Sequence, residues 1–183
     1  MRRDSNGPLV VLVAIFGFII FSTPGKSCSQ EKGDTALVIP CCSVHRPHNS
    51  ALNQENIGIG LRRYGETLSV WNRNLETFIE AQYVKRDSLR GQAFAFGAGV
   101  QYPVVAFENA QLLVGIKGGL IHYEGYLPKR GGMVKNSYDG PVGGITITGR
   151  YKDFSAEMFV VPFIQNGQLK NGYVEIFSFM WRF

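Results

Sequence analysis

Cysteine is scarce in this sequence: three residues in 183, two of them adjacent as Cys41-Cys42. They build no disulfide framework, and a vicinal pair lacks metal-ligand spacing, so both read as small strand residues. Charge of one sign is also scarce. The formal net charge is +5, part of it in residues 1–27, which carry Arg2, Arg3 and Lys26 against Asp4. So mild an excess gives no ground for expecting nucleic acid as a partner. Helical periodicity, internal repeats and low-complexity tracts are missing downstream of the first segment. Long apolar runs are missing too, apart from Leu9–Phe21. With 45% hydrophobic residues and a mean hydropathy of -0.02, the chain is too polar for a helical membrane bundle. That balance suits either a soluble domain or a transmembrane barrel, whose alternating strands average out in hydropathy.

What is present begins with a basic start, the apolar run, and a small-residue exit "STPGKSCS". This is the layout of a secretory signal. The run is short for a span, although Gly7–Gly25 could cross a bilayer as an uncleaved anchor. Gly25-Lys26-Ser27 lacks the apolar residue that a lipoprotein signal places before its cysteine, here Cys28. The expected organisation is a signal or hydrophobic segment over 1–27, a linker over 28–35 and one domain over 36–183, long enough for a full core.

Within that domain, 22 glycines and 13% aromatics lean towards strands, and apolar residues recur with period two. The spacing predicts strands near 57–64, 76–86, 91–102, 110–125, 141–151, 154–165 and 172–183. An eighth is 36–45 or 67–73, the first being preferred. In "RGQAFAFGAGVQY" one face reads Phe94, Phe96, Ala98, Val100, Tyr102 and the other Ala93, Ala95, Gly97, Gly99. In "PVGGITITGRYK" Ile145, Ile147 and Tyr151 oppose Thr146, Thr148, Arg150 and Lys152. Polar and small groups set against an apolar face describe a narrow barrel with lipid outside. A soluble barrel would invert the pattern. "AEMFVVPFI" is apolar on both faces, which an interior that holds a lipid chain would also explain.

The links alternate in length. Links 46–56, 87–90, 126–140 and 166–171 fall on one side, expected to be the outer one, and 65–75, 103–109 and 152–153 on the other. The chain ends on "YVEIFSFMWRF", where Phe177, Phe179, Trp181 and Phe183 share a face. Such a strand closes a barrel against the first one with its aromatics in lipid, and it resembles the C-terminal assembly signal of bacterial outer-membrane barrels. The fold class expected is therefore all-β: an eight-stranded antiparallel up-and-down transmembrane β-barrel following an N-terminal hydrophobic segment.

A second resemblance lies in "HRPHNSALNQENIGIGLRRY", which looks like the His, Asn-Glu, Gly-x-Gly pattern of outer-membrane lipid A palmitoyltransferases and of related bacterial and phage-borne barrels. "AQYVKRDSLRGQAFAFGAGV" resembles that family's hairpin with Asp-Ser at the outer tip, and "LKNGYVEIFSFMWRF" its final strand. The Asn-Glu pair is here Asn53-Gln54-Glu55. The resemblance implies acyl transfer from a phospholipid to lipid A. That chemistry needs a hydroxyl, a base near neutral pKa and a group that orients the base. His45 or His48 is the candidate base, Ser88 the hydroxyl and Asp87 the orienting carboxylate. The interior would hold the acyl chain, with Gly97 and Gly99 leaving room. Each has a plainer reading: a loop histidine is ordinarily solvated, and Asp-Ser is a common turn pair.

Elsewhere, His122 is expected in an interior hydrogen-bond network with Glu124, and no metal site is expected because no second ligand has metal spacing. The glycines of "IGIGL" mark a strand crowded by its neighbour. Arg62-Arg63 and Lys85-Arg86 are expected to mark the membrane boundary at outer strand ends. Three functions remain open: an outer-membrane barrel acting at the outer leaflet or cell surface without catalysis, a lipid A acyltransferase, and an anchored periplasmic lipocalin-like lipid binder. The expected setting is the outer membrane of a Gram-negative bacterium. The expected partners are membrane lipids, lipid A and phospholipid among them, with no cofactor, no nucleic acid and a monomeric state. A general pore is not expected, since an eight-stranded barrel with a filled interior is too narrow for one.

Overall fold

The computed structural model describes residues 33–46, 54–70, 73–86, 91–129, 132–165 and 168–183. Every named element is a strand: β1 (Thr35–Arg46), β2 (Ile57–Tyr64), β3 (Leu68–Val70), β4 (Arg73–Arg86), β5 (Gln92–Ala106), β6 (Ala110–Lys129), β7 (Gly132–Tyr151), β8 (Phe154–Gln165) and β9 (Gln168–Arg182). All pairings are antiparallel between sequence neighbours, except that β1 pairs with β9 and β2 with β4, which closes the sheet. Closure leaves eight staves, because β3 pairs only with Arg73–Leu75 of β4. The preferred first strand, 36–45, is thus a stave, and 67–73 is not. The long 65–75 link is explained by the same small hairpin. Segment 126–140, expected as a loop, is instead strand from both sides, with β6 and β7 paired out to Lys129–Gly132.

Period two sets the faces. Phe94, Phe96, Ile116, Leu120, Ile145, Phe179 and Trp181 all stand on the outer surface, each exposed. Thr146, Thr148, Arg150, Gln101 and Glu157 are buried inside. Apolar groups out and polar groups in is the arrangement the sequence implied. Phe177 departs from its row, being only 8% exposed where Phe179 is 49%. A bulge in β1 sets Cys42 opposite it, and Cys41, the extra residue, lies 3.4 Å from its carbonyl oxygen.

Proline explains where the wall is irregular. A proline has no N–H for a ladder, so it belongs at bulges or where one neighbour is missing. Register shifts fall between Pro40 and Cys42, Pro103 and Val105, and Pro162 and Ile164. Pro128 lies beyond the last β5–β6 pair, Gln92–Glu124, and Pro141 beyond the last β7–β8 pair, Ile145–Val160. All five strand prolines are accounted for.

Candidate functional site

Strand polarity gives the barrel two ends. Gly33 and Phe183 are tied to one of them by backbone bonds, Gly33 N to Tyr64 O and Phe183 N to Thr35 O. The β6–β7 hairpin marks the other. Inside, three layers follow from the inward residues of successive strands. Nearest the terminal end, Arg150 makes a bidentate pair with Glu76 at 3.0 and 2.7 Å. Gln101 donates to the same carboxylate at 2.9 Å, and Gln111 Oε1 accepts from Arg150 at 2.9 Å.

The middle layer is a quartet of opposite charges. Arg62 donates to Glu80 at 2.6 Å and to Glu157 at 2.9 Å. Lys117 donates to both carboxylates as well, at 2.8 and 2.9 Å. Gln82 and Thr148 donate to Glu80 and Glu157 in turn. The Arg62 guanidinium lies 3.9 Å from the centre of the Phe78 ring, and the Lys117 ammonium 4.4 Å from that of Phe159. Two cations and two anions neutralise one another in one layer across the lumen. Arg62 is therefore no boundary marker: it faces inward and is 0% exposed. Its neighbour Arg63 pairs with Thr35, at the terminal end.

Above the quartet the interior becomes apolar and opens into a cavity of about 200 Å³. Its walls include Val84, Ala95, Tyr123, Val142, Val161 and Val174; Glu80 and Lys117 form the floor. Polar wall groups include His45, Asn56, Gln82 and Ser178. Asn56 Oδ1 is buried and has no hydrogen-bond partner among the described residues. Gly97 lines the cavity, with a Cβ there meeting the Gly118 carbonyl oxygen at 2.5 Å, and Gly99 serves another purpose. A Cβ there would meet the Phe78 ring at 2.4 Å, so its bareness seats the aromatic that braces Arg62.

Beside this cavity the β7–β8 ladder stops short. β7 continues to Gly132 and β8 to Gln165, yet their ladder ends at Ile145–Val160. Past that point Val142 on one strand and Val161 on the other flank the cavity. Two prolines occupy the parted stretch, Pro141 and Pro162. The carbonyl of Pro141 accepts from Tyr138 Oη at 2.8 Å, so a side chain takes the place of a neighbouring strand.

Of the four candidate catalytic residues, His45 is described: it is 4% exposed and lies on the cavity wall. His48, Asp87 and Ser88 lie outside the described residues, as does segment 1–27. His122 and Glu124 are not interior. The inward residues of this stretch of β6 are the odd-numbered ones, such as Tyr123 and Ile121. His122 is 52% exposed on its side chain and pairs with Asp139, while Glu124 pairs with Lys135. Gly58 and Gly60 are crowded as expected, since a Cβ at either would meet a β4 carbonyl oxygen at 2.4 or 2.6 Å. Sequence reasoning missed the quartet, although Glu80, Lys117 and Glu157 each interrupt an otherwise uncharged stretch of strand. It also missed Asn56.

No protein-family model and no curated sequence matches this chain. Among solved structures, it is similar to Neisserial surface protein A (TM-score 0.52, 11% identity), the match covering 81% of this chain and 94% of that one. It is also similar to the N-terminal β-barrel domain of Pseudomonas aeruginosa OprF (TM-score 0.51, 12% identity), covering 84% of this chain and 100% of that domain. At such identities the likeness concerns the fold: an eight-stranded closed barrel of the kind found in outer membranes.

Proposed function

We propose that this protein is an integral outer-membrane barrel of a Gram-negative bacterium, working as a monomer on membrane lipid. It admits one lipid acyl chain sideways from the leaflet at its hairpin end. The observation that carries this reading is the early end of the β7–β8 ladder beside the apolar cavity. A lipid tail could leave the bilayer between the parted strands without crossing a polar rim. The belt of outward apolar side chains supports the membrane setting, and the charged quartet beneath the cavity argues against a pore. An engineered apolar cavity of about 150 Å³ is enough to bind benzene, so this one has room for a segment of chain.

The test uses vesicles of a phospholipid with a photoactivatable group in its acyl chain. Crosslinks on Tyr123, Val142 or Val161, lost on filling the cavity with Ala95→Trp, support lateral entry. Crosslinks confined to outward residues such as Ile116 and Phe179 refute it.

A second reading, acyl transfer to lipid A, is favoured by the place of His45 on the cavity wall, where a base would meet an entering chain. Lipid A from expressing cells, compared with His45→Ala, His48→Ala and Ser88→Ala variants, decides it. An added acyl chain lost in a histidine variant supports transfer. Unchanged lipid A, with the protein in the outer membrane, leaves a lipid binder.

A further inference from the structure

We propose that Cys41 and Cys42 form a reversible dithiol–disulfide site set into the barrel wall. Adjacent residues of a regular strand point to opposite faces, which keeps their side chains apart. Here Cys41 is the extra residue of the bulge that follows Pro40, and a bulge re-aims a side chain. The two sulfurs consequently stand 3.3 Å apart, both thiols free and partly exposed. Among the described residues no group of three or more His, Cys, Asp or Glu could hold a metal ion. The pair therefore has the geometry for joining to itself rather than for ligation.

The co-reactant is a disulfide, the oxidant class found in compartments outside the cytosol. The thiolate of one cysteine attacks a sulfur of that disulfide; the reactant S–S bond breaks and the first thiolate leaves, giving a mixed disulfide. The thiolate of the other cysteine then attacks the protein sulfur, closing the Cys41–Cys42 bond and expelling the second thiolate. Both protein thiols are oxidised, the reactant is reduced to two thiols, and these take up the two protons. The sulfurs close from 3.3 Å to about 2.05 Å. Adjacent Cα atoms are only about 3.8 Å apart, below the usual range of about 4.4–6.8 Å for a bridge. The ring is strained, and a strained disulfide is readily reduced, so the site is reversible.

Its position gives the change a consequence. The β1–β2 ladder runs from Thr35–Arg63 to Val38–Gly60 and then resumes only as the bridge Cys42–Glu55. The two backbone bonds that span this resumption are Asn56 N to Cys41 O at 3.0 Å and Ser43 N to Gln54 O at 2.8 Å. Ring closure reshapes the peptide between the cysteines, and with it the hold on Asn56, a cavity-wall residue.

The experiment takes the full chain carrying Cys28→Ser, folded in detergent micelles, and treats it with uncharged dipyridyl disulfide. The expected result is release of two pyridinethiones per chain, an intact mass lower by two hydrogen atoms, no retained pyridyl group, and reversal by dithiothreitol. Adding Cys42→Ala, which prevents ring closure, should leave one pyridyl adduct. Two retained adducts on the parent chain overturn the proposal. So does failure of the folded chain to react when the unfolded chain does. Amide resonances of Ser43 and Asn56 should shift on oxidation; unmoved signals overturn the coupling to the cavity wall.

Discussion

Arg62 of β2 and Glu157 of β8 meet across the lumen at 2.8 Å, although neither strand neighbours the other in the wall. Glu80 stands opposite Arg62 on β4 in direct register, and Lys117 reaches both carboxylates from β6. Four staves are tied through the middle of the barrel by charge-assisted bonds, which are stronger than neutral ones. The same knot spans the lumen.

Breaking that knot on one side should cost more than removing a balanced part of it. Arg62→Met strands two buried carboxylates on one ammonium, and loss of one partner of a buried ion pair costs about 3–5 kcal/mol. Arg62→Met with Glu157→Leu leaves Lys117 and Glu80 matched, and should recover most of the loss. Urea unfolding in lipid vesicles measures both. A double variant as weak as the single one would refute the charge-balance account. Planar bilayers holding the native protein should show no steady conductance.

The outer surface makes a separate prediction. Ile116 is 62% exposed in the middle of the apolar belt, whereas Val134, 45% exposed, lies on the hairpin beyond the last β5–β6 pair. Arginine on a barrel's lipid face costs about 2–4 kcal/mol near the midplane and about 0–1 kcal/mol near the interface. Ile116→Arg should therefore lower unfolding stability in vesicles strongly, and Val134→Arg hardly at all. Equal effects would mean that the belt does not sit in lipid where its chemistry suggests.

The belt was also the most legible part of the sequence. Alternation in Phe94–Tyr102 and Ile145–Tyr151 fixes which side chains face out, and a one-residue slip would invert every one of them. Links of the right parity placed Thr35 and Phe183, the two ends of the barrel segment, together. The lumen was harder to read because its contacts lie far apart in sequence. Nothing local in "ETFIEAQ" tells Glu80 that it will meet Lys117 and Arg62. His122 and Glu124 were misread because a histidine near an acid suggests a buried network, whereas their even parity on β6 already put them outside. The β7–β8 seam was invisible for a related reason: only the register shows where a ladder stops.

Glycines that look alike in sequence should behave differently on substitution. A Cβ at Gly99 would meet the Phe78 ring at 2.4 Å, while one at Gly118, on the outer face, finds nothing nearer than a carbonyl oxygen at 3.4 Å. Overpacking of this kind costs about 1–3 kcal/mol, and here it also pushes on the ring that carries Arg62. Gly99→Ala should lower the urea midpoint, and Gly118→Ala should leave it nearly unchanged. The reverse order would show that Gly99 is not the seat of Phe78.

The seam between β7 and β8 depends on groups that cannot pair. In an antiparallel ladder the N–H and C=O of one residue bond to the same neighbour. Pro141 has no N–H, and its carbonyl is already taken by Tyr138, so it offers β8 nothing. Pro141→Val together with Tyr138→Phe supplies the donor and frees the acceptor. The ladder should then extend past Ile145–Val160, and hydrogen exchange at Gly143, the next amide on the same side of the strand, should slow by at least tenfold. The same chain should lose photo-crosslinking of lipid to Val161 while its outer crosslinks remain. Slower exchange with undiminished crosslinking would show that the chain enters elsewhere, the lapse in the β1–β2 ladder near Pro40 being the next place to look.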